Sequence, residues 1–95
     1  FAEWTNDLLR RGTELLSAID CNPLGVGSGF GVSLPLDREM TTRLLGFARV
    51  ERNPIQVQNS RGRHELRVLN YVVEIGAFLE KLAWDLLLFS SREYG

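Results

Sequence analysis

Apolar side chains recur along this chain in three distinct rhythms. Between Ala2 and Ile19, residues Trp4, Leu8, Leu9, Leu15, Leu16 and Ile19 share the three- and four-residue spacing of one helical face. The stretch has no proline, and Gly12 is its one weak helix former. Asp20-Cys21-Asn22-Pro23 stops it, because proline moves the preceding residue out of the helical region. The spacing predicts a first helix over roughly 2–20.

From Asn22 to about Arg61 the rhythm breaks. Gly25, Gly27, Gly29 and Gly31 alternate, and Pro23, Pro35 and Pro54 all fall here. One short helix fits, over roughly 37–45: Asp37 is its N-cap, Met40, Leu44 and Leu45 lie on adjacent turns, and Gly46 ends it. Ile55-Gln56-Val57-Gln58 alternates as a strand would, but with no partner strand visible, Ala48 to Gln58 reads as loop.

The last zone carries the longest pattern. Leu66, Leu69, Val72, Val73, Gly76, Leu79, Leu82, Ala83, Leu86 and Phe89 trace one broad stripe, and Val68, Ile75, Phe78, Leu87 and Leu88 spread apolar character to further faces. The pattern predicts a helix over roughly 63–92, about 45 Å long at 1.5 Å per residue. A helix apolar on most sides is expected to be covered on most sides, by neighbours this chain does not itself contain. The class is therefore all-α, and residues 1–95 read as a single segment with a Gly/Pro-rich loop and a short helix between two long helices, either a fragment or part of an intermolecular bundle.

Composition narrows the function classes. Eleven Lys+Arg against twelve Asp+Glu, a formal net charge of −1, argues against bulk attraction to nucleic acid or to an anionic membrane. No apolar run is long enough to cross a bilayer, so a cytoplasmic location is expected. The chain opens on Phe1 with no signal-like segment, and it is expected to be cut from something longer. One cysteine, Cys21, and one histidine, His64, exclude a disulfide framework and multi-ligand zinc motifs, so no metal site is expected.

The glycine run Gly25 to Gly31 invites a phosphate-loop reading but fails it. Phe30 and Val32 stand where GxGxxG needs glycine, and Val32-Ser33 stands where a Walker loop needs Lys-Ser/Thr. The run reads as a turned loop whose backbone approaches something closely. Arg61, Arg63, His64 and Arg67 gather at the start of the long helix, either as a carboxylate or phosphate site or as a solvated basic turn. No serine lies in a nucleophile elbow. Trp4 and Trp84 read as packing residues, Cys21 as inert, and Glu74, Glu80 and Asp85 as a solvated strip.

The run from Asn22 through Pro-Leu-Gly25, Pro35-Leu-Asp37-Arg-Glu39 to Leu44-Leu-Gly-Phe47 resembles the middle of the argininosuccinate lyases, which read PLGxGAxxGxxxPxDRExxxxLLGF. The likeness continues at Asn59-Ser60 and at Leu82-Ala-Trp-Asp-Leu86 with Phe89-Ser-Ser-Arg-Glu-Tyr94. It covers essentially the whole chain. After Asn-Ser the common family pattern is DAxSDRDF; here Arg61-Gly-Arg-His-Glu-Leu-Arg67-Val68 stands instead, with Arg67 at the family arginine and Val68 replacing its aspartate, which marks a branch variant.

The resemblance implies a parent enzyme of arginine biosynthesis that eliminates argininosuccinate to fumarate and arginine without cofactor or metal. It implies a central helical bundle through which identical subunits form a homotetramer, with a small-molecule dicarboxylate as substrate and no nucleic acid or membrane partner. The family's Thr-His motif and its GSSxMPxKxNP loop have no counterpart among these residues, so no catalytic residue is assigned and the 95-residue chain alone is expected to be inactive. Asn59, Ser60 and Arg67 are the candidate substrate-binding residues. Two alternatives stay open: another lyase of the fumarase/aspartase superfamily, or a non-enzymatic helical module that assembles with itself.

Overall fold

The computed structural model describes residues 1–27 and 31–94. The chain is mostly helical: α1 (Ala2–Ile19), β1 (Cys21–Asn22), α2 (Arg38–Leu45), β2 (Arg49–Val50), α3 (Pro54–Asn59) and α4 (Arg63–Phe89). It is an all-α chain with a long C-terminal helix, and the two strands are two-residue pieces. No described helix is long and apolar enough to cross a membrane. The residues form two compact units. One joins residues 1–15 with those from Leu66 onward, and the other is Leu16–Glu65.

In the first unit α1 and α4 lie antiparallel. Phe1 and Trp4 set their rings edge-on to Phe78, with centroids 5.8 and 5.3 Å apart. Farther along α1 the Tyr71 hydroxyl donates to the Leu8 carbonyl at 2.8 Å, and Arg11 pairs with Glu74. Gly12 makes the Tyr71 contact possible, since a Cβ there would stand 2.5 Å from that hydroxyl. Leu8 is the buried residue of α1.

The face of α4 turned to α1 is not the broad stripe of the sequence pattern. Half-buried positions on α4 are His64, Arg67, Tyr71, Glu74, Ile75, Phe78 and Leu82. Leu66, Leu69, Val72, Val73 and Leu79 remain exposed, Val73 at 69%, and no residue of α4 is buried. Aromatic and polar contacts with Phe1, Trp4, Leu8 and Arg11 fix the rotation of the helix, and a single neighbour covers only one side. Glu74 is thus an ion-pair partner rather than part of a solvated strip. Trp84, expected to pack, is 64% exposed.

The second unit is built on caps. Asp37 Oδ1 accepts from the Met40 N–H at 2.9 Å, starting α2. Gly46, at φ 78°, ends it as the Gly46 and Phe47 N–H groups return to the Arg43 and Thr42 carbonyls at 3.3 and 3.0 Å, a Schellman closure. Residues expected to be loop, Ala48 to Gln58, hold two further elements. Arg49–Val50 pairs in parallel with Cys21–Asn22, in register Cys21 with Arg49 and Asn22 with Val50. Pro54–Asn59 is a helix although Ile55 to Gln58 alternates, because Asn53 caps the N–H groups of Ile55 and Gln56 at 3.0 and 3.3 Å and Pro54 fits its first position.

The C-terminus of α1 carries no basic residue in its last turn. Arg49 supplies one from a distance, donating to the Ser17, Ala18 and Asp20 carbonyls at 2.8, 3.1 and 3.4 Å. A guanidinium there satisfies carbonyls the helix leaves unpaired and faces the negative end of its dipole.

Candidate functional site

The loop after α1 is locked by side chains from α2. Asn22, fully buried, donates through Nδ2 to Thr41 Oγ1 and Thr42 Oγ1 at 3.1 and 2.9 Å. Its Oδ1 accepts from the Leu24 N–H at 3.0 Å, the turn that carries the chain past Pro23. Both threonine hydroxyls donate in turn to the Arg38 carbonyl, at 3.0 and 2.7 Å. Arg38 then reaches across: Nε donates to the Leu24 carbonyl at 2.7 Å, and one terminal nitrogen donates to the Glu51 and Asn22 carbonyls at 2.7 and 3.3 Å.

This answers the question the glycines posed. A Cβ on Gly25, whose φ is +87°, would stand 2.9 Å from Arg38 Cγ, so the group that approaches the loop backbone closely is Arg38. Gln58 adds a contact from α3, donating to the Gly27 carbonyl at 2.8 Å. Ser28, Gly29 and Phe30 of the glycine run lie outside the described residues.

The clamp fixes two walls of a cavity of about 220 Å³ lined by Cys21, Pro23, Glu51, Val57, Ser60, Arg61, His64 and Glu65. Cys21 and Pro23 flank the buried Asn22, and Glu51 follows β2, its N–H donating to the Asn22 carbonyl at 3.0 Å. Cys21 is buried, and its thiol donates to Glu51 Oε2 at 3.5 Å. Burial pushes the thiol pKa up, and the hydrogen bond and charge of Glu51 add to the shift, so the sulfur stays protonated. That accords with an inert Cys21. His64 Nδ1 is buried with no hydrogen-bond partner. Among the described residues no three His, Cys, Asp or Glu side chains are placed to hold a metal ion.

Of the candidate substrate residues, Ser60 lines this cavity, and its hydroxyl donates to the Val57 carbonyl at 2.8 Å. Asn59 is exposed at the end of α3 and does not line it. Arg67 is half-buried on α4, in the other compact unit. Of the basic cluster, Arg61 and His64 line the cavity, and Arg63 is exposed. Sequence reasoning did not single out Glu51 or give Asn22 a role of its own. The one available signal was that Asn22 and Arg38 both fall inside the family-like motif.

Fold and site together define a helical segment whose central loop is fastened to a short capped helix. No protein-family model matches the chain, and no solved structure matches it. Curated proteins do. It is 48% identical over 94 residues to an argininosuccinate lyase of Xylella fastidiosa, covering 99% of this chain and 21% of that protein. It is 46% identical over 95 residues to the argininosuccinate lyase of Stenotrophomonas maltophilia, covering 100% of this chain and 22% of that protein. A third, from Xanthomonas oryzae pv. oryzae, is 46% identical over 94 residues, covering 99% of this chain and 22% of its own. The chain is homologous, over its whole length, to one segment of argininosuccinate lyase, and it spans about a fifth of the length of these relatives.

Proposed function

We propose that this chain is a scaffold segment of an argininosuccinate-lyase-type enzyme, which splits argininosuccinate into fumarate and arginine. The observation that carries the reading is identity of 45–48% over 99–100% of the chain to argininosuccinate lyases of Xylella, Stenotrophomonas and Xanthomonas. In the reaction a base removes the proton from the carbon beside a carboxylate, the carbon–nitrogen bond breaks with its electron pair leaving on nitrogen, and an acid protonates the departing guanidinium nitrogen. Charge builds on the carboxylate, so fixed donors around it lower the barrier.

The segment's share of this work is positioning. The base and acid are assigned to segments outside these residues, and Asn59, Ser60 and Arg67 to the surroundings of the dicarboxylate. The uncovered apolar face of α4 is the surface that further helices of the same protein and identical subunits of a cytoplasmic homotetramer would cover. Leu66, Leu69, Val73 and Leu79, each more than half exposed, support that reading.

The test is direct. The full-length protein should release fumarate from argininosuccinate and not from adenylosuccinate or aspartate, while the 95-residue chain alone should release none. Arg67→Ala in the full-length tetramer should lower kcat/KM by on the order of 1.5–3 kcal/mol of transition-state stabilisation, with the melting temperature nearly unchanged. Loss of the tetramer with normal activity in what remains would make Arg67 a brace and remove it from the substrate site.

A further inference from the structure

Each of the two long helices contains a glycine, and the chain itself explains only one of them. Gly12 on α1 makes room for Tyr71. Gly76, in the middle of α4, has nothing within 4 Å of where a Cβ would stand, and its φ is not positive. A mid-helix glycine weakens a helix relative to alanine, so what Gly76 leaves room for lies outside the described residues. Gly76 is exposed, on the side of α4 turned away from the face that carries Tyr71 and Phe78 to α1.

The residues along that side are ordered about Gly76. Leu66, Leu69, Val73, Gly76, Glu80, Ala83 and Leu87 follow one another at steps of three and four, the seam spacing of paired helices, and all are exposed. Outward from Gly76, Val73 answers Glu80, Leu69 answers Ala83 and Leu66 answers Leu87, to within one residue. Leu66, Leu69, Val73 and Leu87 are each more than half exposed. Against a parallel copy in register, this seam would set Glu80 on Glu80 and leave Gly76 and Ala83 facing themselves across gaps. Against an antiparallel copy turned about Gly76, Leu69 fills the space beside Ala83, Val73 lies under the methylenes of Glu80, and no two carboxylates meet. Size and charge both favour the antiparallel arrangement.

We propose that α4 pairs antiparallel with α4 of a second copy of the protein, with Gly76 on the twofold axis and Leu69 against Ala83 of the second copy. The two glycines let the backbones approach at the crossing, at the short end, about 8 Å, of the usual separation of helix axes. The proposal deepens the scaffold reading by naming which neighbour covers this side of α4 and in what register. It rests on the self-assembly in that reading and not on the reaction.

Disulfide trapping in the full-length protein, oxidised under native conditions and separated on a denaturing gel beside wild type, tests it. A disulfide needs Cα atoms within about 7 Å of each other. Gly76→Cys should therefore give a covalent dimer on its own, since the two copies meet at the axis. Leu69→Cys and Ala83→Cys should each stay at the wild-type level, because either position lies about 21 Å along the helix from its own symmetry mate. The double variant Leu69→Cys/Ala83→Cys should give the dimer. Should Gly76→Cys fail to fold, the double variant, which keeps the glycine, decides alone. A dimer from Leu69→Cys as abundant as from the double variant overturns the register. A protein that sediments as a tetramer with no trapping in the double variant overturns the pairing and gives this side of α4 to a different helix. A full-length monomer overturns the pairing together with the self-assembly on which it rests. Trapping in a protein whose wild type makes no fumarate from argininosuccinate keeps the pairing and loses the reaction.

Discussion

Asn22 Nδ2 donates to Thr42 Oγ1 at 2.9 Å, in a part of the molecule where Asn22 has no exposed surface. That contact closes a ring. The Thr42 hydroxyl donates to the Arg38 carbonyl at 2.7 Å, and the Arg38 guanidinium donates to the Asn22 carbonyl at 3.3 Å. A buried amide is tolerable only when its donors and acceptor are partnered, and here both ends are. Asn22 and Leu24, at the start of the loop after α1, are therefore held by polar contacts.

Replacing Asn22 by Ala should expose how much the ring contributes. The substitution leaves the Leu24 N–H without its acceptor and the two threonine oxygens without a donor, each loss costing roughly 1–3 kcal/mol where the group stays dry. Urea unfolding followed by circular dichroism should show a drop of that order or more, and a drop under about 0.5 kcal/mol would mean that water replaces the amide freely.

Arg38→Lys tests the geometry rather than the charge. An ammonium on a flexible stem cannot reach the Leu24, Asn22 and Glu51 carbonyls together as the planar fork does. Destabilisation of about 1–3 kcal/mol is expected with the charge intact, and stability equal to wild type would show that charge alone suffices.

Gly12 and Tyr71 should be coupled. Gly12→Ala raises intrinsic helix propensity by about 1 kcal/mol but pushes the Tyr71 hydroxyl off the Leu8 carbonyl, and Tyr71→Phe removes that bond directly. In a double-mutant cycle Gly12→Ala should be stabilising, or much less harmful, once Tyr71 is Phe. Additive effects would mean that the ring moves aside at no cost.

Cys21 carries a pH signature. Its folded-state pKa is raised, first by burial and then by Glu51, so the folded state holds the thiol proton where the unfolded chain has released it. That stabilisation is complete below the unfolded thiol pKa, at about 8.5, and is lost as pH rises through the higher folded value. Melting temperatures should fall as pH rises above about 8.5 by more in the wild type than in Cys21→Ala, and alkylation of the native protein by iodoacetamide should be slow at neutral pH.

Much of the secondary structure was legible without coordinates, for a local reason. Helix periodicity, the Asp37 cap, the Gly46 stop and the Pro23 break all act within a few residues, so the chain alone announces α1, α2 and α4 to within a turn or so at their ends. Two-residue strands carry no period to read, and α3 was hidden because a four-residue alternation outweighed the Asn53-Pro54 cap. The sequence also carried the family-like motif, which joined Asn22 to Arg38 in one pattern without saying what joins them.

What only the tertiary structure decided is where long side chains end. Arg38 and Arg49 look alike along the chain, yet one spans three carbonyls of a loop and strand while the other caps a helix about thirty residues earlier. Those outcomes depend on which backbone carbonyls lie within reach once β1 and β2 are side by side. Periodicity likewise established that α4 is apolar on several faces but not which face meets α1. Its rotation is set by Gly12 leaving room for Tyr71, by Phe78 between Phe1 and Trp4, and by Arg11 reaching Glu74. Local propensity selects the elements because it acts between residues close in sequence; the direction of a guanidinium or an aromatic ring is set by contacts that exist only after the elements have met.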